Sequence, residues 1–324
     1  MITTFKVNSE WNGEFDTSVY HTDDVGLFSV TRRLSLLEDP TQPVVDRPDQ
    51  GSDIIYEPNA ELMWSNHNSL GEFEFGVDVG GYVFVDHSDF THGFYQLQLA
   101  QTFFSGTEIK LFYDLVPDLF LGDNDLLAGE TEDGNEKEEL FAERLTSHLW
   151  TAHVNQHLSE HLSLRLLGRY GLRNYDDPFE HRDTRFWTIG SHLEWEFAPG
   201  FELLLGYHFE RGKANQHQAR LLLDDISYNN HYTSAELKIP LLDKLSAVLI
   251  FDYEHNIFTS RHEEDIHHNA AENIYQGELE LLYELNHATT IKLGWQHGIR
   301  KFNFEDKNAR NNNLWLGIEY GFEI

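Results

Sequence analysis

The C-terminal stretch Asn313-Leu-Trp-Leu-Gly-Ile-Glu-Tyr-Gly-Phe-Glu-Ile324 decides the fold of this chain. Its alternate residues are apolar, namely Leu314, Leu316, Ile318, Tyr320, Phe322 and Ile324. The residues between them are polar or small, apart from one tryptophan, namely Trp315, Gly317, Glu319, Gly321 and Glu323. Because successive side chains of a β-strand point to opposite faces, this strand has one apolar face and one mostly polar face. Such a strand suits a wall with lipid on one side and water on the other.

The stretch resembles the closing strand of a bacterial outer-membrane β-barrel, which alternates in this way and ends on an aromatic or apolar residue. Phe is the usual last residue of that strand, whereas this chain ends on Ile324 and has Phe322 two residues earlier. The resemblance covers the whole chain at the level of architecture. It implies a porin-like barrel in the outer membrane of a Gram-negative bacterium, with no porin subfamily identified.

The composition agrees with a barrel. The chain has 324 residues, only 40% of them hydrophobic, and no apolar run approaches the roughly 18 residues that a membrane-spanning helix needs. A barrel strand, in contrast, presents only every second residue to lipid. The absence of cysteine suits a chain that crosses the periplasm. No signal peptide is visible at residues 1–5, so we expect a processed chain; the alternative is a soluble protein that is not exported.

Strand candidates recur along the chain, and the connections between them alternate in length. Short connections fall at 66–71, 104–107, 155–161, 197–201, 240–244 and 285–288. Long polar ones fall at 87–92, 117–138, 176–184, 212–227, 259–272 and 303–312. This alternation is typical of an up-and-down barrel with tight periplasmic turns and long outer loops. The sequence therefore predicts an all-β, antiparallel transmembrane barrel with both termini in the periplasm.

The strand count follows from the same pattern. Thirteen strands are predicted near 54–66, 71–86, 93–104, 107–117, 139–155, 161–175, 185–197, 201–211, 228–240, 244–257, 273–285, 288–301 and 313–324. Alternation from Phe5 to Val19 adds one more, which gives about fourteen strands in a single domain over 1–324. The stretch 22–53 is then the longest outer loop, either an extracellular hairpin or a segment folded into the lumen. If Leu27–Leu37 is instead a wall strand, the count becomes fifteen or sixteen.

One face of the predicted strands is apolar and carries aromatic residues toward the strand ends. Amphipathic rings favour the two membrane interfaces. We therefore predict that the interface aromatics are Trp11, Trp64, Trp187, Trp195, Trp295, Tyr320 and Phe322. The alternative is the core face of a soluble sandwich, but about fourteen consecutive strands with sorted loops are unusual for a sandwich.

The opposite face is polar on nearly every strand, so we predict a water-filled bore or a polar plug. The acidic residues predicted to line the pore are Glu10, Glu14, Asp16, Glu72, Glu74, Asp78, Asp114, Glu194, Glu196, Glu202, Glu210, Glu236, Asp252, Glu254, Glu278, Glu280 and Glu284. One strand carries a basic ladder on this face, Arg165, Arg169 and Arg173. In porins, a ladder that faces acidic residues across the bore sets a transverse field. The alternative is local pairing, for instance of Arg165 or Arg169 with Glu194 or Glu196.

The net charge of −32 argues against nucleic acid as a partner. In a lumen it raises the local concentration of cations. We therefore predict a monomeric, passive, cation-preferring channel for small hydrophilic solutes, in contact with outer-membrane lipid and lipopolysaccharide. Two alternatives stay open: a sheath around a periplasmic partner such as a multihaem c-type cytochrome, and a secretion or surface-assembly barrel.

The densest histidine cluster is Arg261-His-Glu-Glu-Asp-Ile-His-His268. Its His262, His267 and His268 are weak candidates for transition-metal ligands, because a predicted outer loop does not fix ligand geometry. The chain has no Cys-x-x-Cys-His for covalent haem attachment and no Gly-x-Ser-x-Gly. The sequence therefore predicts neither a cofactor nor an enzyme.

Overall fold

The structure, a computed structural model, describes residues 9–28, 50–125, 140–215, 224–303 and 308–323. These residues form fourteen β-strands: β1 Ser9–Thr22, β2 Asp53–Asn68, β3 Gly71–Phe84, β4 His92–Phe103, β5 Thr107–Asp125, β6 Leu140–Ser159, β7 Leu162–Tyr175, β8 Thr184–Ala198, β9 Phe201–Ala214, β10 Tyr228–Leu242, β11 Leu245–Phe258, β12 Ala271–Asn286, β13 Thr289–Phe302 and β14 Ala309–Glu323. Each strand pairs with its neighbours in the sequence, and β1 pairs with β14, so the sheet closes into a barrel. The predicted antiparallel up-and-down barrel of fourteen strands is confirmed.

The alternative counts of fifteen and sixteen strands are wrong. β1 pairs with β2 on one side and with β14 on the other, which leaves no place for a further wall strand between β1 and β2. Residues 25–28 are helical. The rest of Leu27–Leu37 lies outside the described residues, as do Phe5 and Val7. No helix in the described part of the chain is long and apolar enough to span a membrane.

The loops sort by length between the two ends of the barrel. One end has the short turns 69–70, 104–106, 160–161, 199–200, 243–244 and 287–288. The other has the long connections 23–52, 85–91, 126–139, 176–183, 215–227, 259–270 and 303–308. β1 begins and β14 ends at the short-turn end. We call the lumen next to the short turns the inner half, and the lumen next to the long loops the outer half.

The outer surface is a continuous apolar band. On β14, for example, Leu314, Leu316 and Ile318 are 53%, 59% and 42% exposed. Large apolar faces are rarely left in water by a soluble monomer, whereas lipid accepts them. All seven predicted interface aromatics lie on this outward face; Trp64 is half-buried against the ring of Phe73. Their position at the membrane interfaces stays a prediction.

Inside the barrel, aromatic rings pack against glycines of the neighbouring strand. The directly opposed pairs are Gly80 with Phe94, Gly171 with Phe186, Gly190 with His208, Gly212 with Tyr228, and Gly294 with Trp315. A Cβ on any of these glycines would lie only 2.0–2.3 Å from a ring atom. Glycine at these positions therefore allows the rings to lie close to the wall.

The lumen as the candidate functional site

A row of opposed carboxylates crosses three adjacent strands of the inner half. Glu14 of β1 is directly opposite Glu61 of β2, and Glu61 is directly opposite Asp78 of β3. We call these three residues the acidic row. Neither Glu14 nor Glu61 has a hydrogen bond or an ion pair within the described residues, and Asp78 accepts a bond of 3.4 Å from Asn59. Like charges directly opposite one another destabilise a sheet, so these carboxylates require solvation.

Every acidic residue predicted to line the pore lies on the inward-facing set of its strand. Near the short turns, Glu10 and Glu284 are exposed and Glu196 is half-buried. The same alternation also places further charged residues inward that the sequence-based prediction did not include: Glu61, Glu108, Lys110, Lys238, Lys292 and Glu319. The pore-lining role of the whole set stays a prediction.

The basic residues of the inner half are each bound to carboxylates. Lys292 of β13 lies 2.5 Å from Asp16 and 2.8 Å from Glu319, so it joins β13 to β14 and β1. The other pairs are Lys110 with Glu108 at 3.2 Å, Lys238 with Glu202 at 3.5 Å, and Arg165 with Glu194 at 2.8 Å. Because these bases are paired with other carboxylates, none of them is bound to Glu14 or Glu61.

The basic ladder runs along β7 from the inner to the outer half. Arg165 makes the local pair with Glu194, while Arg169 donates to the Thr151 hydroxyl at 3.2 Å. Arg173 donates to the Tyr228 hydroxyl at 3.0 Å, and its guanidinium lies 4.4 Å from the centre of a phenylalanine ring, that of Phe186. Arg169 and Arg173 are both buried. The transverse field of the ladder stays a prediction.

Three of the predicted pore-lining acids are buried and hydrogen-bonded instead of facing open water, namely Asp114, Asp252 and Glu254. Asp252 of β11 is fully buried and accepts hydrogen bonds from Tyr232 at 2.7 Å and Gln276 at 3.2 Å. Glu254 is also buried and accepts a bond of 2.5 Å from Asn230. Alternation shows that these side chains point inward, but it does not show how far the outer half is filled.

Residues 24–28 turn into the outer half directly after β1. The ring of Phe28 lies 5.4, 5.8 and 6.0 Å from those of Tyr20, Tyr82 and Phe84. This apolar cluster also includes the buried side chains of Val25, Ile55, Phe90, Phe120 and Trp315. Leu27 belongs to a second cluster with side chains from β10, β12 and β14. Residues 24–28 thus connect the two sides of the lumen and fill part of the outer half.

A cavity of about 40 Å³ remains on the other side of the outer half, between β5–β8 and β10–β11. Polar groups of Arg173, Tyr228, Asn230 and Asn256 line it, together with several apolar side chains. A cavity of this size and polarity can hold water.

A buried ionic cluster connects three of the long loops. We call it the loop cluster, and its members are Glu143, His181, Arg182, Asp224, Asp265 and His267. Arg182 lies 2.8 Å from both Glu143 carboxylate oxygens and 2.6 Å from Asp224. His181 contacts Asp224 at 2.9 Å, and His267 contacts Asp265 at 3.2 Å and Asp224 at 3.4 Å. The loop cluster therefore holds β6 and the loops 176–183, 215–227 and 259–270 together.

The loop cluster favours ionised carboxylates. Burial alone would raise the pKa of Asp224, but the hydrogen bond to His181 and the charge of Arg182 outweigh burial and hold this pKa well below its usual range. Burial likewise opposes ionisation of Asp265, and hydrogen bonds from His267 and Ser260 outweigh it and lower its pKa.

The three metal-ligand candidates do not converge. His267 lies in the loop cluster, His268 contacts the Ser260 carbonyl oxygen at 3.2 Å, and His262 is exposed. Among the described residues, no group of three or more His, Cys, Asp or Glu side chains is arranged to hold a metal ion.

A closed antiparallel barrel with an apolar outer band and a polar interior defines the class of porin-like outer-membrane barrels, and the predicted resemblance to that class is confirmed. No protein-family model and no curated protein sequence matches the chain.

Three solved structures with a similar fold are distant from this chain in sequence. Outer-membrane expressed OmpT of Vibrio cholerae superposes with a TM-score of 0.53 at 9% identity, over 99% of this chain and all of that one (100%). A loop-deletion mutant of the same outer membrane protein gives 0.52 at 9% identity, over 98% and 99% of the two chains. The outer membrane channel DcaP of Acinetobacter baumannii gives 0.48 at 10% identity, over 98% and 97%. At such identities the likeness to the two OmpT structures shows the fold alone. A barrel of this fold supports a location in the outer membrane.

Proposed function

We propose that the protein is an outer-membrane channel for small hydrophilic solutes and that it prefers cations. The acidic row is the observation that carries this proposal. Glu14 and Glu61 are directly opposed with no base bound to either, so they are compatible with each other only where water and cations screen them. A lumen wall of this charge concentrates cations and repels anions.

In this proposal, solutes cross the outer half on its polar side. Residues 24–28 and the aromatic rings around Phe28 close the side next to β1–β3. The side next to β6–β11 keeps a polar cavity at Arg173 and Tyr228. The contact between these two side chains narrows the passage, which favours small solutes.

The selectivity can be tested in planar bilayers with a KCl gradient. The reversal potential of the reconstituted barrel should show a preference for K⁺ over Cl⁻. The double variant Glu14→Gln/Glu61→Gln should lose much of this preference, because it removes two lumen charges. The matched control Glu263→Gln/Glu264→Gln removes the same charge from an exposed loop and should keep the preference. A wild-type barrel that prefers Cl⁻, or does not conduct, contradicts the proposal.

The proposed orientation places the long loops outside the cell and both termini in the periplasm. The chain has no native cysteine, so single cysteines can be labelled on intact cells without background. His262→Cys and Asp89→Cys, both exposed in long connections, should react with an impermeant maleimide. Ser69→Cys and Asp243→Cys, both exposed in short turns, should react only after the cells are opened. Equal labelling of the two groups would rule this orientation out.

The sheath hypothesis has less support, because residues 24–28 of the chain itself pack inside the outer half. A threaded partner would have to displace them. A haem-coloured complex that survives salt and detergent during purification would favour the sheath, and a colourless monomer would favour the channel. The expectation that the protein is not an enzyme stays a prediction.

A further inference from the structure

Three basic side chains face outward together where β8 and β9 approach the long loops. Arg185 of β8 is directly opposite Lys213 of β9, and Arg211 is directly opposite Trp187 in the adjacent outward-facing row. We call Arg185, Arg211 and Lys213 the outward triad. All three side chains are exposed, and none has a hydrogen bond or an ion pair within the described part of the chain.

The outward triad differs from the basic residues of the lumen. The chain has 55 acidic and only 23 basic residues, so carboxylates are plentiful. Lys110, Lys238 and Lys292 in the lumen all lie within 3.5 Å of one. Two like charges directly opposite each other, such as Arg185 and Lys213, destabilise a sheet unless an anion lies between them. Within the described part of the chain no carboxylate pairs with the outward triad, so a bound ligand would supply the anion that it fits.

The position of the triad indicates the chemistry of that anion. Trp187 and Ile189 continue the same outward face toward the middle of the barrel and are 41% and 56% exposed. Asn229 of β10 is directly opposite Arg211 and adds an amide at the same level. A ligand on this surface meets guanidinium and ammonium donors at one end and apolar side chains at the other. Guanidinium groups bind phosphate with paired hydrogen bonds.

We propose that the outward triad binds the phosphate groups of a phosphorylated lipid, whose acyl chains lie along Trp187 and Ile189. This inference rests on the proposed membrane location. In the proposed orientation the triad lies at the outer leaflet, so the ligand is the phosphorylated glycolipid of that leaflet.

The test is a lipid titration of the purified full-length protein, followed by native mass spectrometry. The probes are bisphosphorylated lipid A and the same lipid without its phosphates. Three proteins are compared: wild type, the triple variant Arg185→Gln/Arg211→Gln/Lys213→Gln, and the control Arg261→Gln/Lys301→Gln/Arg310→Gln. The control removes the same number of charges from exposed positions elsewhere.

Wild type and control should bind bisphosphorylated lipid A at least about tenfold more tightly than the triple variant, because charge-assisted hydrogen bonds are lost. The dephosphorylated lipid should bind weakly to all three proteins. Because the three positions are exposed, the triple variant should keep the heat-modifiable gel migration of a folded barrel, and its lipid binding is compared in that folded form.

Equal binding by wild type and the triple variant would overturn the proposal. Displacement of the lipid by an equimolar amount of inorganic phosphate would show that the triad binds free phosphate and would overturn the proposal of a lipid ligand. A triple variant that loses oligomers but keeps its lipid binding would instead make the triad a contact between copies of the chain. Conductance is measured separately in bilayers of neutral lipid. If the channel proposal is wrong, the conductance measurement will show it. If the lipid-site proposal is wrong, only the lipid titration will show it.

Discussion

The acidic row in the inner half and the loop cluster in the outer half differ in whether their carboxylates are bound to a base. In the inner half, Glu14 and Glu61 oppose each other without a bound base. In the outer half, Glu143 and Asp224 are both buried and share the guanidinium of Arg182. Water accounts for the difference, because a solvated carboxylate can remain unpaired and a buried one needs a partner. The inner half therefore keeps unpaired carboxylates at its surface, and the outer half is held by buried ion pairs.

A substitution in the loop cluster should cause the largest loss of stability and so tests this comparison most strongly. Arg182→Met should destabilise the barrel by about 3–5 kcal/mol, because it leaves Glu143 and Asp224 buried without their cation. The free energy of unfolding in detergent measures the loss. Arg185→Met, three residues away at an exposed site, should change it by no more than about 0.5 kcal/mol. Equal effects of the two variants would show that the outer half does not depend on buried pairing.

Removal of the Phe28 ring should open the outer half and leave the inner half intact. Phe28→Ala should weaken the packing of residues 24–28 by about 3 kcal/mol, at the lower end for a core phenylalanine. We expect a higher single-channel conductance with an unchanged preference for K⁺. Phe104→Ala, at a turn where the ring is 80% exposed, is the control and should leave conductance unchanged. An unchanged conductance in Phe28→Ala would mean that residues 24–28 do not limit the passage.

Acid should loosen the outer half before it affects the strands. Asp224 and Asp265 have pKa values held below the usual range, so they contribute stability above the ordinary carboxyl pKa of about 4. This contribution is lost as the pH falls through their folded-state values. Protease cleavage of the long loops should therefore increase below about pH 4.

The variant Asp224→Asn should raise loop cleavage already at pH 7 and flatten its pH dependence. The control Asp243→Asn, at an exposed short turn, should behave as wild type. A wild-type cleavage rate that does not change with pH would show that the loop cluster does not hold the loops.

The smallest change in the free energy of unfolding is expected in the inner half, where a substitution should stabilise the barrel. Glu61→Gln should stabilise the barrel by about 0.2–1 kcal/mol, because it removes a charge opposed by both Glu14 and Asp78. The same variant should lower the preference for K⁺. Unfolding and reversal potential are measured together, with Glu160→Gln at an exposed turn as the control. A destabilised Glu61→Gln would give this residue a structural role.

The barrel could be predicted from the sequence because its signal is local. Alternation assigns each side chain to a face from its immediate neighbours, which is why Leu316 and Ile318 lie outward and Trp315 lies inward. The sorted loop lengths needed no knowledge of tertiary contacts. The strand count followed from these two patterns.

The site could be predicted only in part, because its contacts depend on register and on loop packing. Alternation places Glu14 inward, but the opposition of Glu14 and Glu61 depends on the pairing of two strands joined by a long loop. The partners in the loop cluster are 39–43 residues apart for Arg182 and His181. No local pattern indicates such contacts. The sequence left open whether residues 24–28 fold inward, because buried apolar residues have the same composition in a wall strand.

The ion pair between Lys292 and Asp16 joins residues 276 positions apart, from β13 to β1 across β14. It can form only after the first and last strands have met, so it marks the closure of the barrel. Until that step, β1 and β14 each present an edge of unpaired backbone groups, which is open to pairing with other chains. Contacts of such long sequence separation form slowly. A lysine that binds Asp16 and Glu319 together therefore stabilises the pairing of β1 with β14, which keeps both strand edges covered.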